Sequence, residues 1–346
     1  MADARLEEIT RLFTWRITSH VPYWDFAQIS MQIERFEHWC MVWSSWAEKH
    51  TRLGDEAAAA GRRETAGAAY VRAASYYHWA SFLFGPYPDE FRRALELQCE
   101  VWAKAAPLVD PPLELVEIPF EGTRLPGYLR RPHGAERPPL AVLIPGADST
   151  KEELFPFTEE IVRRGVAAFA FDGPGHGLVS FDLKIRPDYE VPVRTVVDAL
   201  RERDDWDHDR LAVGGISYGG MFAIRAAAFD RRIKAVASLS SWYSPAGRYP
   251  GMARVSREGL HQYMGDDPAS VQDAMTVEDA APRVTQPLLQ IYGALDPQSP
   301  PEHAERTAAA VRGPTTTVIL EDGVHVGNNV WYRSRPLLAD WLRETL

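Results

Sequence analysis

Gly215-Ile216-Ser217-Tyr218-Gly219 sets a serine between two glycines. An apolar run from Leu211 to Val213 precedes it, and an alanine-rich apolar run from Met221 to Phe229 follows. That order reads as strand, sharp turn, helix. The turn leaves no room for bulk beside the serine. It lifts the hydroxyl clear of the backbone and sets it at a helix N-terminus, whose free N–H groups favour negative charge. A serine hydroxyl is a weak nucleophile near neutral pH and needs a base within hydrogen-bonding reach. Histidine suits the task because its pKa lies near working pH. A carboxylate then fixes the ring tautomer and stabilises the imidazolium.

Both partners follow in the chain. Pro287 to Tyr292 reads as a buried strand, and Gly293-Ala294-Leu295-Asp296 comes straight after it. Thr316 to Leu320 reads as another strand and leads into Glu321-Asp322-Gly323-Val324-His325. Each candidate therefore sits just past the C-terminal end of a strand, the edge where open α/β sheets bind ligands. The order Ser217, Asp296, His325 is the nucleophile–acid–histidine order of α/β-hydrolases. Asp322 is the rival acid, and His176 and His261 are the rival histidines.

An oxyanion site completes the chemistry. The apolar strand Leu140 to Ile144 runs into Pro145-Gly146-Ala147-Asp148. The backbone N–H of Ala147, with that of Tyr218, is the expected donor pair for a developing oxyanion. Trp242 and Tyr243 are candidate pocket residues, or else filler between the core and a cap.

The elements that must position these groups show a rhythm. After Arg137-Pro138-Pro139, strands are expected near 140–145, 166–171, 211–215, 234–239, 287–292 and 316–320. Helices fill the gaps at 151–164, 191–203, 218–229, 300–312 and 333–345. Such alternation means a mostly parallel sheet covered on both faces. Two further strands, Leu113 to Phe120 and Arg124 to Arg130, flank a turn at Glu121-Gly122-Thr123. The stretch 240–286 is long for a connection and is expected to carry short helices contributing to a cap. Ahead of Asp110-Pro111-Pro112 the chain reads as helical. Ile33, Phe36, Trp39, Cys40, Trp43 and Trp46 form one apparent stripe at three- and four-residue steps. Helices are also expected from about Ala66 to Phe84 and from Asp89 to Ala105. The expected organisation is thus a helical segment, residues 1–110, ahead of a hydrolase domain, residues 111–346. Seven of the eleven tryptophans fall in the helical segment. They read either as packing against the larger domain or as an aromatic lid over the pocket.

Composition narrows the function. A chain of 346 residues has room for one large domain and a smaller one. Its net charge of −10 argues against nucleic acid as the main partner. The cysteines Cys40 and Cys99 read as reduced thiols within helices. No C-x-x-C or H-E-x-x-H pattern occurs, so no metal or cofactor is expected. The first residues lack an apolar core and no run reaches membrane-spanning length, so the expectation is a cytoplasmic protein without membrane contact.

Three motifs carry a family likeness: Pro145-Gly146-Ala147-Asp148-Ser149-Thr150-Lys151-Glu152-Glu153, Phe171-Asp172-Gly173-Pro174-Gly175-His176-Gly177 and Gly215-Ile216-Ser217-Tyr218-Gly219-Gly220. Together they resemble the FrsA-like branch of the α/β-hydrolases, from about Leu113 onward. That branch includes the 2,6-dihydroxypseudooxynicotine hydrolase type and fungal hydrolases that shorten polyketide chains. The resemblance implies a helical lid domain before the hydrolase fold, a Ser217–Asp296–His325 triad and a homodimer. It also implies hydrolysis of a C–C bond beside a carbonyl in a β-diketone or polyketide-like small molecule. One position departs from the pattern. The nicotine-pathway type has a glutamate after the strand that follows the nucleophile helix, whereas residues 240–249 hold no carboxylate and Glu258 is the first glutamate of that connection. Carboxylester hydrolysis and acyl transfer or cyclisation use the same three residues and stand as alternatives, and a binding module without activity is the reading from another class.

Overall fold

The computed structural model describes residues 3–346. Met1 and Ala2, with which the expected helical segment begins, lie outside the described residues. Five helices come first: α1 (Ala4–Thr18), α2 (Tyr23–Gln32), α3 (Trp39–Ala59), α4 (Arg63–Ser81) and α5 (Pro88–Ala105). The strands β1 (Leu113–Phe120) and β2 (Thr123–Arg130) follow, then β3 (Leu140–Ile144), α6 (Phe155–Arg163), β4 (Ala167–Phe171) and α7 (Glu190–Arg201). Next come β5 (Leu211–Ile216), α8 (Tyr218–Phe229), β6 (Ala235–Leu239), α9 (Arg254–Met264) and α10 (Pro268–Ala274). The chain ends with β7 (Leu288–Gly293), α11 (Glu302–Ala310), β8 (Thr315–Leu320) and α12 (Trp331–Thr345).

All eight strands join one sheet in the order β1-β2-β4-β3-β5-β6-β7-β8. β1, β2 and β4 pair antiparallel, and every pairing from β4 through β3 to β8 is parallel. The expected α/β-hydrolase architecture, with helices ahead of it, is the one observed. The central strands are buried on both sides, so their sequences run apolar without alternation. Side chains still alternate in direction. Ala141 and Leu143 join the cluster under α6 and α12, whereas Leu140, Val142 and Ile144 join the cluster under α7 and α8. The second cluster continues without a break into the N-terminal helices, through Trp43, Tyr76, Trp79 and Phe82.

The stripe from Ile33 to Trp46 is not one helix. Ile33 ends α2 in an extended conformation, a single tight turn spans Phe36–His38, and α3 starts at Trp39. The Asp3 carboxylate accepts the Phe36 N–H at 2.8 Å and anchors this break. Apolar spacing continued across two elements because both present buried residues to the same core. Helices α1 and α2 themselves carried no distinct signal, since charged residues interrupt the apolar positions of α1.

The tryptophans also resolve differently from an aromatic lid. Trp39, Trp43 and Trp79 are buried among the helices, Trp43 edge-on to Tyr76 and Trp79 edge-on to Phe82. Trp102 alone of the seven meets aromatic rings of the sheet portion, packing on Phe155 and Tyr128. Trp24 stands exposed. Cys40 and Cys99 are unlinked, and burial pushes their thiols up to about 11 and about 12.

Candidate active site

Ser217 occupies the turn between β5 and α8 with φ 57° and ψ −123°. A non-glycine residue in this region carries strain of order 1–3 kcal/mol and persists only where its surroundings impose it. Here the Ser217 N–H donates to the Leu239 carbonyl at 2.8 Å, and the Gly220 N–H returns to the Ser217 carbonyl at 3.0 Å. The glycines are required by contact. A Cβ on Gly215 would lie 2.2 Å from the backbone of Gly219, and one on Gly219 would lie 2.2 Å from the Ile144 carbonyl oxygen. Helix α8 can therefore press directly onto the end of β3.

The other two candidates meet the serine. The Ser217 hydroxyl lies 3.0 Å from His325 Nε2, and His325 Nδ1 lies 2.7 Å from Asp296 Oδ2. This requires the tautomer in which Nδ1 donates to the carboxylate and Nε2 accepts from the hydroxyl. Asp296 Oδ1 accepts the N–H groups of Gln298 at 2.8 Å and Ser299 at 3.1 Å. The Asp296 side chain is fully covered. Burial works to raise its pKa, but His325 and the two N–H groups outweigh it and hold the carboxyl below its ordinary value. The loop carrying His325 is strained as well: Val326 has φ 63°, and its N–H donates to the Ser240 hydroxyl at 2.8 Å.

The rivals are elsewhere. Asp322 is exposed and pairs with Arg333 at 2.9 Å. His261 is exposed on α9. His176 is wholly buried, with Nδ1 2.8 Å from the Tyr189 hydroxyl. Burial lowers its pKa to about 4, against the opposing pull of the Gly146, Gly173 and Pro145 backbone and of Asp148. Its ring is thus a neutral prop beneath the loop after β3.

That loop carries Ala147, one of the two expected donors. β3 and β5 are parallel neighbours, so the segment after Ile144 lies beside the segment after Ile216. A Cβ on Gly146 would come within 3.2 Å of Ser217 Cβ. Ala147 and Tyr218 line the same cavity as Ser217 and His325, and neither N–H has a backbone acceptor among the described residues. The arrangement can activate a hydroxyl, hold a tetrahedral oxyanion and return a proton to a leaving group.

The cavity is narrow, leaving about 40 Å³ of room for the centre of a water-sized sphere. Phe13 of α1 and Leu83, just after α4, form one side, and Met252, Ser256 and Leu260 of the β6–β7 connection form another. Trp242 faces the cavity, its ring 5.8 Å from the His325 ring and 4.6 Å from that of Tyr218. Tyr243 does not. Its N–H points to His303 and its ring packs under Arg306, because the backbone turns outward after Trp242. None of the seven N-terminal tryptophans lines the cavity.

Sequence reasoning missed two cations in this wall, Arg16 and Arg248. Arg16 donates to Glu153 through Nε at 2.8 Å and Nη2 at 2.7 Å, and to Asp148 through Nη1 at 2.8 Å. Burial opposes its charge, but the two carboxylates hold the guanidinium protonated. The Glu153 carboxyl is buried too, yet Arg16 and His78 keep it well below its ordinary range. An arginine within the apolar stripe Ile9-Phe13-Ile17 was the available signal.

Residues 34–244, more than half of the chain, match the family described as esterase FrsA-like. The chain belongs to the FrsA-like family. A further match, over residues 192–334, is to the prolyl oligopeptidase family, which shares the hydrolase sheet. The curated 2,6-dihydropseudooxynicotine hydrolase of Paenarthrobacter nicotinovorans is 28% identical over 89% of this chain and 84% of its own length. The crystal structure titled 2,6-dihydroxy-pseudo-oxynicotine hydrolase superposes with a TM-score of 0.86 at 28% identity, covering 96% of this chain and 95% of that one. The alpha/beta hydrolase pydG of an Acremonium species is 37% identical over 60% of this chain. The match spans about half the length of such fungal relatives, 52% for pydG. By fold and family this FrsA-like chain is a hydrolase. Among its described residues no helix is long and apolar enough to cross a membrane.

Proposed function

We propose that the chain is a serine hydrolase that cleaves a C–C bond next to a carbonyl in a β-diketone or polyketide-like small molecule. The observation that carries the reading is the Ser217–His325–Asp296 relay, at 3.0 and 2.7 Å. In the first step Ser217 Oγ bonds to the substrate carbonyl carbon and its proton passes to His325 Nε2. The oxyanion is held by the Ala147 and Tyr218 N–H groups. Collapse breaks the C–C bond, and its electron pair moves onto the departing carbon, delocalised as an enolate over the second carbonyl. The His325 proton returns to that fragment. Water, deprotonated by the same ring, then adds to the acyl-enzyme and releases the acid. The likeness to the pseudooxynicotine hydrolase over nearly the full chain supports the C–C chemistry.

Carboxylester hydrolysis is the second reading, favoured by the family's description as esterases. A panel of short 4-nitrophenyl esters and β-diketones separates the two. The proposal expects diketone cleavage with the acid product taking up label from heavy-oxygen water. Fast ester turnover with intact diketones would overturn the C–C reading. Unlabelled product formed with an added acyl acceptor would indicate transfer instead. No reaction of Ser217 with a fluorophosphonate would remove the nucleophile altogether.

A further inference from the structure

The cavity wall contains an unbalanced charge. Arg16 is matched by Asp148 and Glu153, so that corner is saturated. Arg248 has no carboxylate within 4.0 Å among the described residues. Its guanidinium touches Met252 Sδ at 3.7 Å through Nη1 and stacks on Trp242 with its carbon 5.0 Å from the ring centroid. The Tyr218 hydroxyl faces it from α8, and the His303 ring feels its charge. The Trp242 ring that supports Arg248 is the one that flanks His325. The cation therefore sits at the edge of the reacting centre, on the β6–β7 connection, and not out on the surface.

While water fills the cavity, Arg248 is solvated. A ligand that displaces this water from the half-buried guanidinium must supply hydrogen bonds in its place, or the cation is left partly uncompensated. Guanidinium binds a planar pair of anionic oxygens best, by two parallel N–H···O bonds. Stacking on Trp242 occupies the face of the guanidinium, and of its edge donors Nη1 is engaged only by the weak acceptor Met252 Sδ. Ser256, Gln298 and Asn328 add neutral hydrogen-bonding groups around the same space. A phosphate fits less well, since the remaining cation of the wall, Arg16, is already shared between two carboxylates.

We infer that Arg248 forms a subsite for an anionic oxygen pair, so that the substrate is a ketone or diketone bearing a carboxylate or an ionised enol. This rests on the reading of the cavity as the substrate site. It adds the charge class of the substrate, which the relay alone does not give.

Binding tests it without relying on turnover. Full-length Ser217→Ala protein is titrated calorimetrically with acetopyruvate, with its methyl ester, with levulinate and with acetylacetone. Levulinate carries the carboxylate alone, and acetylacetone carries the ionisable enol alone. Acetopyruvate is expected to bind about tenfold or more tightly than its ester, as one charge-assisted contact provides. Adding Arg248→Gln should erase that ratio, and Arg248→Lys should restore part of it. Levulinate competing with acetopyruvate identifies a carboxylate subsite. Acetylacetone that gains affinity as pH rises through its own ionisation identifies an enolate subsite. Equal affinity for acid and ester together with acetylacetone binding that does not strengthen as its enol ionises, no measurable affinity for any of the four, or a ratio that survives Arg248→Gln in a protein with unchanged thermal unfolding overturns the inference. The nucleophile is judged separately: Ser217 protein that ignores a fluorophosphonate while the acid–ester ratio holds defeats the hydrolase mechanism and leaves the subsite standing.

Discussion

The floor and the roof of the cavity are built on different principles. The floor is set by backbone: Ser217, Asp296, His325 and Ala147 each follow the end of a strand in one parallel sheet, and neighbouring strands leave little freedom in their spacing. The roof is assembled by side chains from α1, from the end of α4 and from the β6–β7 connection. Ser217, His325 and Asp296 of the floor are joined in a single line of hydrogen bonds. Roof groups are joined to the floor, as Arg16 is to Glu153, or to nothing charged, as Arg248 is. The contrast separates two duties. A sheet edge can hold reaction chemistry constant, while the pieces above it set which molecule fits.

Substitutions in each region sharpen that division. Ser217→Ala should lower turnover by about a million-fold if the floor acts as a unit, as in a serine protease. Its thermal unfolding should match that of the parent, because no core atom is lost. Retained activity would assign the nucleophile elsewhere. Asp296→Asn should lower kcat by about ten-thousand-fold through the wrong His325 tautomer, whereas Asp322→Asn should change it less than about twofold, since that residue pairs only with Arg333. Equal effects of the two would break the assignment of the acid.

At the join between roof and floor the expected effect is on stability. Glu153→Gln leaves Arg16 buried with Asp148 as its remaining carboxylate, and denaturant unfolding should show a loss near 3 kcal/mol, the low end for breaking a buried pair. A change below about 1 kcal/mol would mean that the pair contributes no more than a surface one. A pH dependence is expected from a buried histidine. His176 has its pKa lowered by burial to about 4, below the ordinary 6.5. Above 6.5 the ring is neutral folded or unfolded, and its contribution is complete. As pH falls from 6.5 to 4 the unfolded chain binds the proton first, so stability drops, by about 3 kcal/mol at most. Below 4 the folded form is protonated as well and the loss levels off. His176→Gln should flatten unfolding curves across that window. An unchanged slope would show that other groups carry it.

The same division governs how much was legible in the sequence. Floor residues announce themselves locally: glycines flank Ser217 because α8 touches β3, Asp296 follows a buried strand, and His325 follows a threonine-rich strand of ordinary length. Roof residues depend on contacts between distant segments, such as Arg16 with Glu153, 137 residues apart. No periodicity encodes such a pairing. The tryptophans show the hazard. Their number read as packing against the larger domain or as a lid, but Trp39, Trp43 and Trp79 fill the interior of the helical segment, and smaller residues such as Phe13 and Leu83 reach the cavity. For Tyr243 both pocket and filler stood open, and it lies outside the cavity lining, its N–H directed to His303.

The grip of Arg16 on Asp148 has a mechanical result. Asp148 is the residue next to Ala147, so the first helix is tethered one peptide away from an expected oxyanion donor. A guest that levered this helix upward would drag the donor out of register with the serine. Any such load falls first on the Arg16–Asp148 contact, which makes the helix a lintel fixed to the loop it spans.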